Sequence, residues 1–242
     1  MAEWFASVKA EFELNFIKAD RWEYLVTGLG NTLLLTLVAL IVGVLIVVVV
    51  AAVRSTYDKT AETARPSFGR RVFGFFNGLC KVYLTVVRGT PVVVQVMIFF
   101  YVIFATAKDG TMVAALAFGI NSGAYVAEII RGGIMSIDNG QFEAGRSLGF
   151  NYIQTMWYVV MPQAFKNVLP ALCNEFIALL KETSVSGYIA LQDLTKAGDI
   201  VRSRTFDPFF PLLTVAAIYL VCVIVLTQGV KILERRLRQS EH

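Results

Sequence analysis

"LVTGLGNTLLLTLVALIVGVLIVVVVAAV", Leu25 to Val53, contains no charged side chain. Roughly 20 consecutive apolar residues cross the hydrocarbon core of a bilayer, and this run is long enough to do so. Three more charge-free runs follow, Gly89–Ala107, Gly110–Ala127 and Pro208–Val230. In a chain of 242 residues that is 56% hydrophobic, four such runs indicate a polytopic membrane protein. The soluble alternative, four fully buried helices around one core, is disfavoured at this length.

The flanks of the first run set the expected orientation. Arg54 ends it, and the linker "RSTYDKTAETARPSFGRR" carries Arg54, Lys59, Arg65, Arg70 and Arg71 against Asp58 and Glu62. Basic loops stay cytoplasmic, which places the N-terminus outside. Glu3, Lys9, Glu11, Glu13 and Lys18 occupy the place of an apolar signal region, so no cleavable signal peptide is expected. Trp4, Phe5, Val8, Phe12 and Phe16 recur at helical spacing. Residues 1–25 therefore read as an interfacial segment, with a solvated tail as the alternative.

After the linker, "VFGFFNGLCKVYLTVVRGTPVVVQVMIFFYVIFA" reads as one long span or two halves, interrupted at Arg88-Gly89-Thr90-Pro91. Proline removes a backbone donor, and a break at depth needs protein or water to cover the freed groups. A return span is expected over Thr111–Ile134, another over Ala164–Lys181, and the last over Phe209–Ile232. The span over Ala164–Lys181 is the weakest, because Lys166 and Glu175 interrupt it. Five spans from an outside N-terminus give a cytoplasmic C-terminus, matching Lys231, Arg235, Arg236 and Arg238 at the end of the chain. The expected fold is all-α, one transmembrane domain over 1–242. Cys80, Cys173 and Cys222 are isolated and read as packing residues. The single histidine is His242, so histidine catalysis and histidine metal sites are excluded and no metal site is expected.

Between the greasy segments lies "GQFEAGRSLGFNYIQTMWYVVMPQ", Gly140 to Gln163. The topology puts it in the cytoplasm. Asp138 or Asn139 can cap a short helix whose first turn suits Glu143, and Gly149 is placed to end it with positive φ. Such a helix is too short to span and suits docking to a partner, or serves as an ordinary connector.

"EAGRSLG" followed by "VVMP" resembles the cytoplasmic signature loop of ABC importer permeases: EAA, three residues, G, nine residues, I-x-L-P. Here the pattern is Glu143-Ala144-Gly145, Gly149, then Val159-x-Met161-Pro162. Gly145, Val159 and Met161 depart from it and keep size or apolarity. "RGTPVVVQ", "AYVAEIIRGGI", "PQAFKNVLPALCNEFIALLKETSV" and "LERRL" extend the resemblance, in order, to the polar amino acid permease family of histidine/glutamine/arginine type. The resemblance implies a type I ABC importer transmembrane fold in the cytoplasmic membrane of a prokaryote. It implies that 138–162 is the coupling loop, with Gln141, Glu143, Ala144, Gly145, Arg146, Gly149 and Pro162 facing or shaping the contact with an ABC ATPase. The implied partners are ATPase subunits, a second permease copy or paralogue, an extracytoplasmic amino acid-binding protein and membrane lipid. Nucleic acid is not among them. The chain contains no GxxxxGK[ST] stretch, so ATP is expected to be used by the partner, no cofactor is bound here, and the chain is not itself an enzyme.

Polar residues inside spans mark candidate pathways. They are Asn31 near the start of the first span, Thr90 and Gln95 beside the break, Glu175 mid-span and Glu182 at the outer end. Glu175 lacks a charged neighbour nearer along its helix than Lys181 and is the candidate for attracting a basic amino acid; Arg88 is its candidate partner across helices. Glu128 and Arg131 read as an i,i+3 structural pair. An ion-gradient-driven secondary amino acid transporter is the alternative function, although the inverted repeats that mark many such carriers are not visible.

Overall fold

A computed structural model describes residues 1–59 and 67–239. Glu62 and Arg65 of the basic linker, and His242, lie outside the described residues. The described residues are helical, with no strand among them. Helix α1 (Ala2–Phe12) carries exposed Trp4, Phe5 and Phe12. A π-type turn over Glu13–Ile17 follows, and positive φ at Ala19 and Asp20 reverses the chain into α2 (Trp22–Lys59). α2 is continuous for 38 residues.

Helix α3 (Phe68–Gly89) starts at Ser67, whose hydroxyl accepts from Arg70 N–H at 3.2 Å. It stops where the sequence says it must. Pro91 pushes its predecessor out of the helical region, and Thr90 is extended at φ −120°, ψ 144°. Helix α4 (Val92–Ile98) continues in a π-type turn to Ile103, and the chain bends by 107° across the break. Then come α5 (Gly110–Met135), the short α6 (Asn139–Ser147) and α7 (Tyr152–Thr155), α8 (Met161–Glu182), α9 (Leu194–Thr205) and α10 (Phe209–Gln239).

α2, α5 and α10 are long and apolar enough to cross a membrane, and the bent α3–α4 pair makes a fourth crossing if counted as one span. The expected span over Ala164–Lys181 is helical as α8, but its Lys166 and Glu175 keep it out of that set. The bare surface agrees with lipid rather than water. Leu45, Val48 and Val49 on α2 and Leu220, Val221 and Val225 on α10 are between 59% and 70% exposed. In water such a belt would drive association; in hydrocarbon it is an ordinary lipid contact.

Two compact units interleave along the chain. The first comprises Met1–Ala39, Val92–Phe118 and Ile177–Gln228, and the second Leu40–Pro91, Gly119–Phe176 and Gly229–His242. In the first, Phe16, Leu25, Leu194, Ala197 and Val215 form a core. α2 presses on the start of α9 so closely that a Cβ on Gly28 would lie 2.7 Å from the Asp193 carbonyl oxygen and 2.8 Å from Ala197 Cβ. In the second, Val47, Ala51, Leu84, Ala124 and Ala127 pack together. There α2 and α5 meet at Gly43, where an added Cβ would lie 3.0 Å from the Gly119 carbonyl oxygen. Small residues at such crossings let backbones approach, which is how helices gain packing energy without a hydrophobic driving force.

Gly28→Ala should lower the thermal midpoint in detergent, because rigid backbone and a neighbouring Cβ meet the new methyl; overpacking of this kind costs on the order of 1–3 kcal/mol. Gly30→Ala, one turn-fraction away with nothing within 4 Å of its Cβ position, should leave the midpoint unchanged or raise it. Equal midpoints for both variants would contradict this packing.

Candidate functional site

The polar island folds as a capped helical hairpin. Asp138 is the N-cap of α6, its carboxylate accepting from Gly140 N–H at 2.6 Å. At the far end Gly149 takes φ +82°. Its N–H donates to Arg146 O at 2.9 Å, and Phe150 N–H donates to Gly145 O at 3.0 Å. This pair of bonds around a left-handed glycine is the Schellman closure. Asn151 then caps α7 reciprocally with Gln154, each accepting from the other's backbone N–H at 2.9 Å.

Two residues of the signature region, the departure Gly145 and the matching Pro162, acquire a physical reason here. Gly145 is buried, and a Cβ on it would lie 2.6 Å from both Oγ1 and Cγ2 of Thr155. A residue as small as glycine is what lets α6 lie against α7. Pro162 follows a π-type turn over Met156–Val160. A proline ring crowds the carbonyl four residues back and removes a donor, and the widened turn is where the helix accommodates it. Of the other loop residues, Glu143, Ala144 and Arg146 stand exposed on one side, and Gln141 Oε1 accepts from Gln163 Nε2 at 3.2 Å. Exposed Leu148, which the sequence places on the apolar side of this short helix, is joined by exposed Ile153, which the sequence reading did not assign.

The pair Glu128–Arg131 is present, at 3.0 Å, and is part of something larger. Arg131 also reaches Asp58 at 3.3 Å, Arg54 lies 3.6 Å from Asp58, and Arg88 lies 4.0 Å from Glu128. Arg88 is therefore spent on Glu128 and stacks over Tyr125; it does not pair with Glu175, contrary to expectation.

The five candidate pathway residues do not fall in one unit. Asn31, Gln95 and Glu182 belong to the first, Thr90 and Glu175 to the second. Glu175 is half-buried and accepts from Ser122 Oγ at 3.2 Å. Thr90 is exposed and returns its hydroxyl to Val86 O at 2.9 Å, capping the break. Glu182 is half-buried with Oε2 lacking a hydrogen bond, and Gln95 is half-buried. Asn31 donates to Gln192 O at 2.8 Å and lines a cavity of about 130 Å³ with Thr111, Ser186 and Asp193.

Asp193 is the residue that sequence reasoning missed. In sequence it is one acid among Glu182, Asp199 and Asp207 ahead of the last apolar run. It is 2% exposed and caps α9, Oδ1 accepting from Lys196 N–H at 2.8 Å, while Oδ2 has no hydrogen bond. Burial pushes its carboxyl up to about 6, against the hydrogen bonds from Lys196 and Thr195 that favour the anion. The N-cap position ahead of Leu194 was the legible signal.

Residues 66–239 match the family described as binding-protein-dependent transport system inner membrane component. The L-cystine transport system permease protein TcyB of Bacillus subtilis is 33% identical over 226 residues, covering 92% of this chain and 90% of that protein. The arginine transport system permease protein ArtQ of Bacillus subtilis is 34% identical over 221 residues, covering 90% and 94%. A solved amino acid ABC transporter, crystallised with histidines, superposes with a TM-score of 0.78 at 37% identity, covering 91% of this chain and 98% of that one.

Two measurements test this geometry. Gly145→Ala should destabilise the fold by on the order of 1–3 kcal/mol, and adding Thr155→Ala should recover part of the loss by removing Oγ1 and Cγ2; a strictly additive double mutant would exclude the contact. Asp193→Asn keeps the capping oxygen and removes the titration. A carboxylate raised in the folded state stabilises the protein below its unfolded value and loses that contribution as pH rises from about 4 to about 6. Asp193→Asn should therefore be the more stable form at pH 7–8, by on the order of 2–3 kcal/mol, and the gap should close near pH 4. A gap independent of pH would sink the assignment.

Proposed function

Because this chain belongs to the family of binding-protein-dependent transport system inner membrane components, we propose that it is the permease subunit of an ATP-driven importer for a polar amino acid. The observation that carries the reading is the capped hairpin of α6 and α7. A nine-residue helix is fixed at both ends by its own caps and presents Glu143, Ala144 and Arg146 to the outside. Its rigidity is local, so a partner can push on it without unfolding it. The occupant proposed for that face is an ABC ATPase subunit, which supplies ATP hydrolysis.

In this reading the N-terminus is outside and the basic C-terminus lies in the cytoplasm of a prokaryote. A second copy or a paralogue completes the pathway, and an extracytoplasmic binding protein delivers the substrate. Closure of the ATPase dimer moves α6, and the helices attached to it move between inward-open and outward-open arrangements. The names of the relatives, which specify cystine and arginine, support an amino acid as cargo. Glu175 is the proposed selectivity residue. It is a half-buried carboxylate that accepts from the Ser122 hydroxyl at 3.2 Å; an ionisable group inside a span marks a candidate pathway, and its negative charge suits the side-chain cation of a basic amino acid. Asn31, Thr90, Gln95 and Glu182 are proposed as further polar points along the pathway.

The reading is tested by co-purification and reconstitution. The chain, expressed with the ATPase encoded for it, should form a stable complex whose ATP turnover rises with the transported amino acid and binding protein. Uptake that follows an ion gradient with no ATPase bound would favour the secondary carrier instead. In proteoliposomes Glu175→Gln should lower uptake of radiolabelled arginine, lysine or histidine about tenfold or more, equivalent to ~1.4 kcal/mol, and leave glutamine uptake little changed. Unchanged basic uptake would remove Glu175 from the pathway.

A further inference from the structure

We propose that Lys59, the last residue of α2, is a strap that ties α2 to the coupling helix α6, so that a displacement of α6 carries α2 with it. The inference rests on the reading of α6 as the ATPase-docking helix.

Lys59 holds the start of α6 at three points. Its Nζ donates to Asn139 Oδ1 at 2.8 Å and to Ile137 O at 3.5 Å, and it sits 4.8 Å from the centroid of the Phe142 ring. An ammonium group has three donors and a flexible stem, and here the donors meet the backbone before the helix and the first residue of it. The ring one turn further on receives the charge on its face. A cation at a helix N-terminus opposes the helix dipole, so this placement is not one that helix stability alone would select. The Asp138 carboxylate, the N-cap, is the nearby countercharge.

The preceding residue grips the other side of the same corner. Asp58 pairs with Arg131 of α5 at 3.3 Å, four residues before that helix ends. Asp58 and Lys59 thus hold α5 and α6 on either side of the turn Ser136–Asp138. The other attachments of α6 differ in kind. Ile134, Ile137, Val160 and Ala164 form an apolar cluster with Phe142, Met156 and Met161, joining α5, α6 and the approach to α8. Among the described residues, α2 contributes no side chain to that cluster. Its hold on α6 is polar, through Lys59. α2 runs on unbroken for 38 residues, about 57 Å at 1.5 Å per residue, so what displaces its inner end displaces a long lever.

The test uses the complete importer, permease with its ATPase subunits and binding protein, in proteoliposomes. The cargo is whichever of L-arginine, L-glutamine and L-cystine the wild type accumulates. Lys59→Met keeps the stem over Phe142 and removes the charge and both hydrogen bonds. The expected result is an assembled complex in which cargo taken up per ATP hydrolysed falls about fivefold or more, with Lys59→Arg restoring most of it. A purely structural role would lower the amount of complex and leave that ratio unchanged. If Lys59→Met fails to insert, Asn139→Ala, an exposed change that deletes the nearer acceptor, is held to the same two outcomes. Wild-type uptake per ATP in an assembled variant would overturn the strap alone. A wild-type chain that binds no ATPase subunit would overturn the strap together with the importer reading beneath it.

Discussion

Buried backbone polar groups must find partners within the protein, and the architecture follows from where they do not find them in the helices. The segment between α8 and α9 shows how the debt is met. Thr32 accepts from Leu194 N–H at 3.0 Å while donating to Gly28 O at 2.9 Å. Asn31 serves the Gln192 carbonyl, and Thr36 lies 3.5 Å from the hydroxyl of Thr183. Gly28 removes the side chain that would keep these groups apart. A stripe of four small or polar residues on one face of an otherwise aliphatic helix therefore serves the irregular backbone of another. That is why Thr32 and Thr36 are fully buried in a stretch that reads as plain membrane span.

The same rule governs the break between α3 and α4. Pro91 offers no N–H, Thr90 is forced extended, and the Thr90 hydroxyl turns back to donate to the Val86 carbonyl in the last turn of α3. The break and its repair sit in adjacent residues. This is the feature most completely legible beforehand, because proline acts on the backbone locally and needs no knowledge of the rest of the fold. Asp138 as a cap and Gly149 as a left-handed stop were legible for the same reason. The long apolar helices were legible from charge alone.

What was hidden depends on contacts between helices, which spacing along one helix does not report. Glu128 and Arg131 read as an isolated i,i+3 pair; the structure adds Asp58, Arg54 and Arg88 from two other helices. Arg88 was offered to Glu175 on charge sign, and it pairs with Glu128 because α3 brings it there. In sequence Asp193 is one acid among several ahead of the last apolar run, and only its burial makes it distinctive. Lys59 counted as one positive charge among five in a loop. The departure of Gly145 from alanine could be judged tolerable from size, but its reason, Thr155 lying against it, belongs to the hairpin and not to the motif.

Charges that orient a membrane chain also have to be placed somewhere, and here they are placed in contact with one another. Arg54, Arg88 and Arg131 share Asp58 and Glu128, with Arg54 also donating to Asn77 at 3.0 Å. Three cations on two anions leave an excess of positive charge where the three helices meet. Partly exposed ions of this kind add little net stability relative to apolar residues, yet losing one partner leaves the others without their countercharge. Such a cluster resists partial rearrangement: its members move together or separate together. α2, α3 and α5 meet in it, and α5 leads directly into the turn before α6. In the proposed importer, a push delivered at α6 reaches this corner, where the charges of three helices hold one another.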